Sequence, residues 1–565
     1  MIKDNFKIPI KYIDNIPIDQ HLITDLELLS TVNDDKKPIY HNIFKPTNSL
    51  AINSINQWDC YTTNIKFLKD SQKLYNNIND LKEDKFYIEN MIENWDEVKN
   101  LQNFKERFQY VEWERIAFLN LFAPFLYLLS FLNITAPLMQ LVAPIMIFIM
   151  PFFLLKAMGI PITVQKYTEL LKKMLRSNAI YNLFTRFKDS SLKEKASMSV
   201  TVGLYFYNLW QNLLSCYRFY DNTFYIIEKL NSVKNYLKYT IDKIDFLRNK
   251  IQKLSTYNSF NNNLSEYEIH FKKHYDNMMY IPEKGRSLNT IKSYGYIMKD
   301  FYYLHNSEEF NSLIQYSFGF HGYINNIIGI NENIQNKLIN KTKYTKKNKV
   351  KFNKIYHPSI SNKCIKNNVK LDKSIILTGP NAAGKTTLLK STIINLLFSQ
   401  QLGFGYYKKA TINPFKYIHC YINIPDSCSR DSLFQAEVRR CKEILDSINN
   451  KPNDRHFCVF DELYSGTNPY EAISSAYSYL NHIVNNNNIK FVLTTHYLKM
   501  CKLFSKHKKI QNYKMDTIID GNDKPIYSYK MIKGYSEIKG GISVLKELNY
   551  PNDIITSAKK ILNKL

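Results

Sequence analysis

Ser374-Ile375-Ile376-Leu377-Thr378 is a short apolar run of strand type that leads straight into Gly379-Pro380-Asn381-Ala382-Ala383-Gly384-Lys385-Thr386-Thr387, and the segment behind it, TLLKSTIINLLF, is helical in composition. A GxxxxGK(S/T) pattern in the order strand, loop, helix is what a phosphate-binding loop requires. The glycines let backbone N–H groups wrap phosphate oxygens at a helix N-terminus, the Lys385 ammonium reaches the β- and γ-phosphates, and the Thr386 hydroxyl serves Mg²⁺. ATP with Mg²⁺ is the expected ligand. Downstream, His456-Phe457-Cys458-Val459-Phe460 ends in the carboxylates Asp461 and Glu462. Their roles separate by chemistry: Asp461 holds the metal through water, and Glu462 polarises the water that attacks the γ-phosphate. A third apolar run, Lys490 to Thr495, ends in His496, placed to sense the γ-phosphate. The expected catalytic set is Lys385, Glu462 and His496, the metal set Thr386 and Asp461, and the nucleotide-binding set the loop from Gly379 to Thr387.

Such groups need strands and helices in alternation to hold them, and residues 355–565 have that pattern, the mark of a parallel α/β sheet. Ahead of them KLINKTKYTKKNKVKFNK (337–354) is polar, basic and weakly periodic, and is expected to be a linker. Residues 163–345 read as long amphipathic helices with almost no Gly or Pro, a core or lever region; residues 1–115 read as a mostly helical region with no legible chemistry.

The run Ile116–Leu155, IAFLNLFAPFLYLLSFLNITAPLMQLVAPIMIFIMPFFLL, is 40 residues without a charged side chain. It is long enough for two membrane spans joined at Asn133-Ile134-Thr135-Ala136-Pro137, each arm near the short limit, with basic residues on both flanks and none in the turn. A transmembrane helical hairpin with both ends cytosolic is expected; a re-entrant element or a buried soluble hairpin are the alternatives. The start MIKDNFKIPIKYIDN lacks a signal-type apolar run, so the expectation is a chain that begins in the cytosol.

The motifs resemble, in order, those of the DNA mismatch-repair MutS family: TGPNAAGKTT its phosphate loop, DELYSGTNP its DEL-x-x-GT segment, Leu493-Thr494-Thr495-His496-Tyr497 its third-strand motif, and Asp431-Ser432-Leu433-Phe434-Gln435-Ala436-Glu437 the segment that crosses a dimer. Tyr356-His357-Pro358 and Gly540-Gly541-Ile542-Ser543-Val544-Leu545 through Pro551 are similar to its flanking motifs. The resemblance implies an ABC-type α/β P-loop ATPase acting as a homodimer, with Ser432 and the Gly466-Thr467-Asn468 turn meeting the partner's nucleotide. Cys364, Ile365 and Asn367 occupy the stretch that flanks adenine, though the family's stacking aromatic is absent there. Residues 1–115 show no Phe-x-Glu wedge in a Gly-rich setting, so the expectation is a chain without the family's mismatch-reading domain there, and the uncharged run is foreign to such proteins.

Composition supports a multidomain, folded chain: 565 residues, 45% hydrophobic and 22% charged. The net charge of +26 invites a polyanion, yet only 11 of 76 basic residues are Arg, so much of it is lysine spread over solvated faces. Eight cysteines form no CxxC pair or zinc spacing, which points away from a disulfide framework or structural metal site. Two readings stay open: a dimeric MutS-like ATPase whose levers act on double-stranded or branched DNA, and a membrane-anchored mechanical or scaffolding ATPase with a protein or bilayer partner. The first permits a soluble, cytoplasmic protein; the second places the ATPase domain on the cytosolic side of a membrane. An ABC transporter fits poorly, because no LSGGQ-like signature is present and one hairpin cannot enclose a pathway.

Overall fold

The computed structural model describes residues 6–33, 35–175, 191–283, 288–360, 364–422, 432–519, 525–538, 542, 545–546 and 548–562. The chain divides into two compact units: Asp84–Lys243 with Glu268–Ile314, and Lys3–Glu83 with Ile244–Tyr267 and Gln315–Leu565. This division falls differently from the boundaries at 115, 155 and 355, because Lys3–Glu83 packs in the unit that carries the α/β sheet.

The first unit is helical. Helix α1 (Ala123–Ala157) is followed by α2 (Val164–Leu175), α3 (Leu192–Ile251) and α4 (Leu288–Asn306). The hairpin expected within 116–155 does not form. A 3₁₀ helix covers Glu114–Leu121, and α1 then runs through Asn133–Pro137 as one helix of 35 residues. Asn133-Ile134-Thr135-Ala136-Pro137 has no glycine to take the positive φ a tight reversal needs, and a long apolar helix absorbs the one backbone hydrogen bond that an interior proline removes. Thr135 instead donates its hydroxyl to Phe131 O at 2.8 Å, within the helix. Among the described residues one helix is long and apolar enough to cross a membrane, with Ala123–Gln140 as its qualifying window. Helix α4 crosses the start of α1 at Gly295, where a Cβ would lie 2.2 Å from Ala123 O; only glycine permits that approach. Helix α3, 60 residues long, continues from the first unit into the second.

Helix α5 (Glu308–Gln335), whose residues from Gln315 onward belong to the second unit, precedes a six-stranded sheet. Its strands are β1 (Ser374–Thr378), β2 (Tyr417–Tyr421), β3 (His456–Asp461), β4 (Ile489–Thr495), β5 (Ile510–Ile519) and β6 (Pro525–Lys533), in the order β6-β5-β1-β4-β3-β2. All pairings are parallel except β5 with β6. Helices α6 (Lys385–Gln401), α7 (Leu433–Asn450) and α8 (Pro469–Val484) connect them, and Ile376, Phe460, Leu493, Ile444 and Leu480 share one core. The supposed linker 337–354 is instead part of a second, five-stranded sheet, through Asn340–Tyr344 and Val350–Ile355. Burial of Val350 and Phe352, and of Thr342 on the preceding strand, explains it: inward positions at strand spacing are masked by the lysines between them.

The edge of the first sheet sets a pH limit on folding. His419 on β2 meets His456 on β3, Nε2 to Nδ1 at 3.0 Å, and burial followed by the neighbouring His456 lowers the His419 pKa to about 3. A depressed histidine pKa contributes stability above the unfolded value near 6.5, and that stability drains away as pH falls towards the folded value. The expected loss between pH 7.5 and 5 is about 2 kcal/mol from His419. Urea midpoints at the two pH values check it, and His419→Gln should flatten the dependence.

Candidate nucleotide site

Strand β1 is buried along its whole length and lies between β4 and β5, so its C-terminal end opens into the crevice where parallel sheets take ligands. Gly384 there has φ +88°, a left-handed conformation that a side chain would strain, and a Cβ on it would come 3.1 Å from the Tyr529 ring. Helix α6 starts immediately after it. The helix is anchored at its far end by buried amides: Gln401 Nε2 donates to Trp58 O at 2.9 Å and Cys60 O at 3.0 Å, and Gln400 Nε2 to Phe415 O at 2.7 Å. The N-terminal segment thus braces the helix whose first residue is Lys385.

The Lys385 ammonium donates to Gly379 O at 2.9 Å and Pro380 O at 3.2 Å, and lies 3.8 Å from Glu462 Oε1. Burial lowers its pKa, with Glu462 and Asp461 opposing. Thr386 Oγ1 donates to Asp461 Oδ2 at 2.9 Å, while the Thr494 hydroxyl donates to the other oxygen. At Glu462 the chain leaves β3 with φ +52°, a conformation costing about 1 kcal/mol outside glycine, and its N–H is fixed to Thr494 O at 3.1 Å. That bend aims the carboxylate back over the loop, where His496 Nδ1 stands 3.6 Å from Oε1. His496, and then the Lys385 charge, hold the Glu462 carboxyl below its usual range, so it is ionised near neutral pH.

A third carboxylate shapes the turn that follows. Glu437 on α7 is buried and accepts from Ser465 N at 3.0 Å, Ser465 Oγ at 2.9 Å and Gly466 N at 3.1 Å. It clamps the segment after Asp461-Glu462, a role its sequence position did not reveal.

A cavity of about 570 Å³ opens beside the loop; Asn381, Ala382, Ala383, Gly384, Lys385, Thr386, Thr387 and Glu462 line one part of it, and Tyr356, Cys364, Ile365, Asn367, Met515 and Tyr529 another. Gly379, Pro380 and Asn381 face His496 and Ser536 across a second cavity of about 300 Å³, which Glu462 shares. The structure therefore brings together the loop, both carboxylates, His496 and the three residues expected near adenine. Tyr529, 43% exposed, supplies an aromatic face that the stretch Cys364–Asn367 lacks; no motif marks it, because β6 reaches the site by its pairing with β5. Asn367 is tied to β6 through Nδ2 to Tyr529 O at 2.9 Å and Met531 N to Oδ1 at 2.8 Å.

Ser432 lies outside these cavities. It is exposed and caps α7, its hydroxyl accepting from Gln435 N at 3.3 Å while Gln435 Oε1 accepts from Ser432 N at 2.9 Å. Asp431 and most of the 539–545 motif lie outside the described residues. Among the described residues no group of three or more His, Cys, Asp or Glu side chains is arranged to hold a metal ion by itself. The Thr386 hydroxyl and Asp461 carboxylate are nevertheless hard oxygen donors of the kind Mg²⁺ takes when substrate phosphates complete its shell, so they fit that ion.

Residues 375–565 match the family model described as MutS domain V. The DNA mismatch repair protein MutS of Phocaeicola vulgatus is 32% identical over 213 residues, 36% of this chain and 24% of that protein. The proteins of the same description from Chlorobium chlorochromatii and Clostridium tetani are 29% and 30% identical over 189 and 198 residues, 33% and 34% of this chain and 21% and 22% of theirs. The chain thus spans about a quarter of the length of the curated relatives it matches.

Proposed function

We propose that this chain, a MutS-family protein through its domain V, binds ATP with Mg²⁺ in the cavity beside Lys385 and hydrolyses it, each site being completed by a second copy. The observation that carries the reading is the convergence of the Gly379–Thr387 loop, the Thr386–Asp461 pair and the Glu462–His496 pair at one end of the sheet. Backbone N–H groups of the loop and the Lys385 ammonium take the phosphates, exchanging the lysine's bonds to the Gly379 and Pro380 carbonyls for bonds to phosphate oxygens. Thr386 and Asp461 would hold Mg²⁺, which supplies charge neutralisation on the phosphates when bound. The ionised Glu462 accepts a hydrogen bond from the attacking water and aligns it, and His496 fixes the carboxylate. Tyr529 and Ile365 offer apolar walls for the base.

Ser432 caps a helix on the exposed side of its own subunit, which suits a contact to a partner's γ-phosphate better than one to its own. Mixing tests this. Ser432→Ala chains combined with Lys385→Ala chains form heterodimers with one intact composite site, and partial recovery of ATPase activity is expected. No recovery would mean that each chain completes its own site.

The relatives' description as DNA mismatch repair proteins supports double-stranded or branched DNA as the partner of the levers α3 and α5, bound with strong salt dependence. A second reading, a membrane-anchored mechanical ATPase without mismatch recognition, is favoured by the apolar side chains that α1 and α3 leave exposed. Membrane sedimentation with an ATPase rate indifferent to DNA would select it.

A further inference from the structure

The first unit holds a second uncharged helical length. From Ala196 to Tyr217, α3 reads ASMSVTVGLYFYNLWQNLLSCY, 22 residues without Asp, Glu, Lys or Arg, flanked by Lys193-Glu194-Lys195 and by Arg218. Its modest hydropathy and the amides Asn208, Gln211 and Asn212 hide it from a sequence search. The structure sets it against the apolar run of α1. Ser130 and Asn133 of α1 line one cavity with Ser215 and Phe219 of α3, and farther along Asn212 Nδ2 donates to Gln140 Oε1 at 2.7 Å. The helices are therefore antiparallel, and 134–155 of α1 lies along 196–217 of α3.

We infer that these two lengths form one antiparallel helical pair that inserts into a lipid bilayer, with acyl chains as the occupant of its apolar outer faces. This deepens the second reading above and is independent of the nucleotide chemistry.

Length, charge and polar bookkeeping agree. Each length is 22 residues, roughly 33 Å of helix, against a hydrocarbon core of about 30 Å. Charge returns at one level at the far end, Lys156 on α1 and Lys193 to Lys195 on α3; at the near end Arg218 bounds α3, while the uncharged run of α1 continues past it to Ile116. Between these levels the exposed side chains include Met139, Met146, Ile149, Phe153 and Leu154 on α1, and Val200, Leu204, Phe206, Trp210 and Leu213 on α3. In water two opposed helices with such faces form an apolar patch far larger than a soluble surface carries. Two polar groups of the pair are satisfied within it: Asn212 and the exposed Gln140 bond each other across the helices, and Thr201 Oγ1 donates back to Ser197 O at 2.9 Å. The exposed amides Asn208 and Gln211 lie in the half nearer Arg218. Pro137, Pro144 and Pro151 sit inside α1 without breaking it, which membrane helices tolerate better than soluble ones.

Trp210 gives the test. Trp58 and Trp95 are buried, Trp113 is 77% exposed outside the pair and Trp210 is 59% exposed within it. Full-length Trp113→Phe chain is reconstituted into phosphatidylcholine vesicles with brominated or unbrominated acyl chains. Bromine on the chains is expected to quench roughly half or more of the exposed tryptophan emission, and Trp113→Phe/Trp210→Phe should abolish the effect. Leu204→Arg, at a position 58% exposed, should lower the ratio of inserted to free chain by about 10²-fold, the scale of an arginine at mid-membrane, while leaving fluorescent-ATP binding intact as a check on folding. Co-flotation without quenching of Trp210 would overturn the pair while leaving membrane anchoring in place. Binding confined to anionic vesicles and released by salt, or a chain that stays soluble after alkaline carbonate as an assembly of several copies, would also overturn it.

Discussion

Glu462→Gln is expected to keep ATP binding within a few-fold of the parent and to cut turnover by about 10²-fold or more, the scale of losing a positioned base. The substitution preserves shape, so the left-handed backbone at 462 and its N–H bond to Thr494 O survive. What disappears is the negative charge, and with it an acceptor strong enough to align water and take its proton. The change also frees Lys385 and His496 from the carboxylate at 3.8 and 3.6 Å, so binding of the anionic substrate should hold or tighten slightly. Single-turnover hydrolysis and equilibrium binding, measured together, separate the two effects. Equal turnover in variant and parent would remove Glu462 from the chemistry and leave Asp461 as the remaining carboxylate to examine.

The parts of this site that were legible in the sequence are those where one short segment carries both the residues and the backbone geometry. Gly379–Thr387 contains its own turn and helix start, and Asp461, Glu462 and His496 each end an apolar run at the same edge of a parallel sheet. Tyr529 and Glu437 act from elements whose position depends on pairing and packing: β6 arrives through β5, and Glu437 through the packing of α7. The same distinction explains the errors elsewhere. Charge-free length located α1, but periodicity says nothing about where a long apolar helix turns, and the helix that the run lies against, the start of α3, comes only after α2. In 337–354, lysines on the outward face concealed strand alternation, because their stems cover apolar surface while their charges stay in water. The amides of α6, Asn395, Gln400 and Gln401, carry no motif and are fully buried, each satisfied by backbone groups.

Lys385→Ala is expected to weaken ATP binding by about 10²-fold, with hydrolysis falling for want of bound substrate. The ammonium is the cation held inside the loop by its own carbonyls, and a charge-assisted hydrogen bond to phosphate is worth about 1.5 to 3 kcal/mol, which converts to a loss of that size. Its neighbours sharpen the argument. Removing the lysine leaves Glu462 and Asp461 facing the phosphates with less positive charge between them, so repulsion adds to the lost attraction. The consequence appears in stability as well as affinity. At ATP one hundred times the parent's Kd, binding stabilises the fold by about 2.7 kcal/mol, and a 10²-fold weaker site under the same conditions retains only about 0.4 kcal/mol. Thermal unfolding with and without ATP therefore reads the substitution directly, without any need for turnover. Lys385→Met, which keeps the stem that fills the loop, distinguishes charge from packing. If the methionine chain binds ATP as the parent does, the loop's N–H groups carry the phosphates alone, and the lysine serves only to hold the Gly379 and Pro380 carbonyls in place.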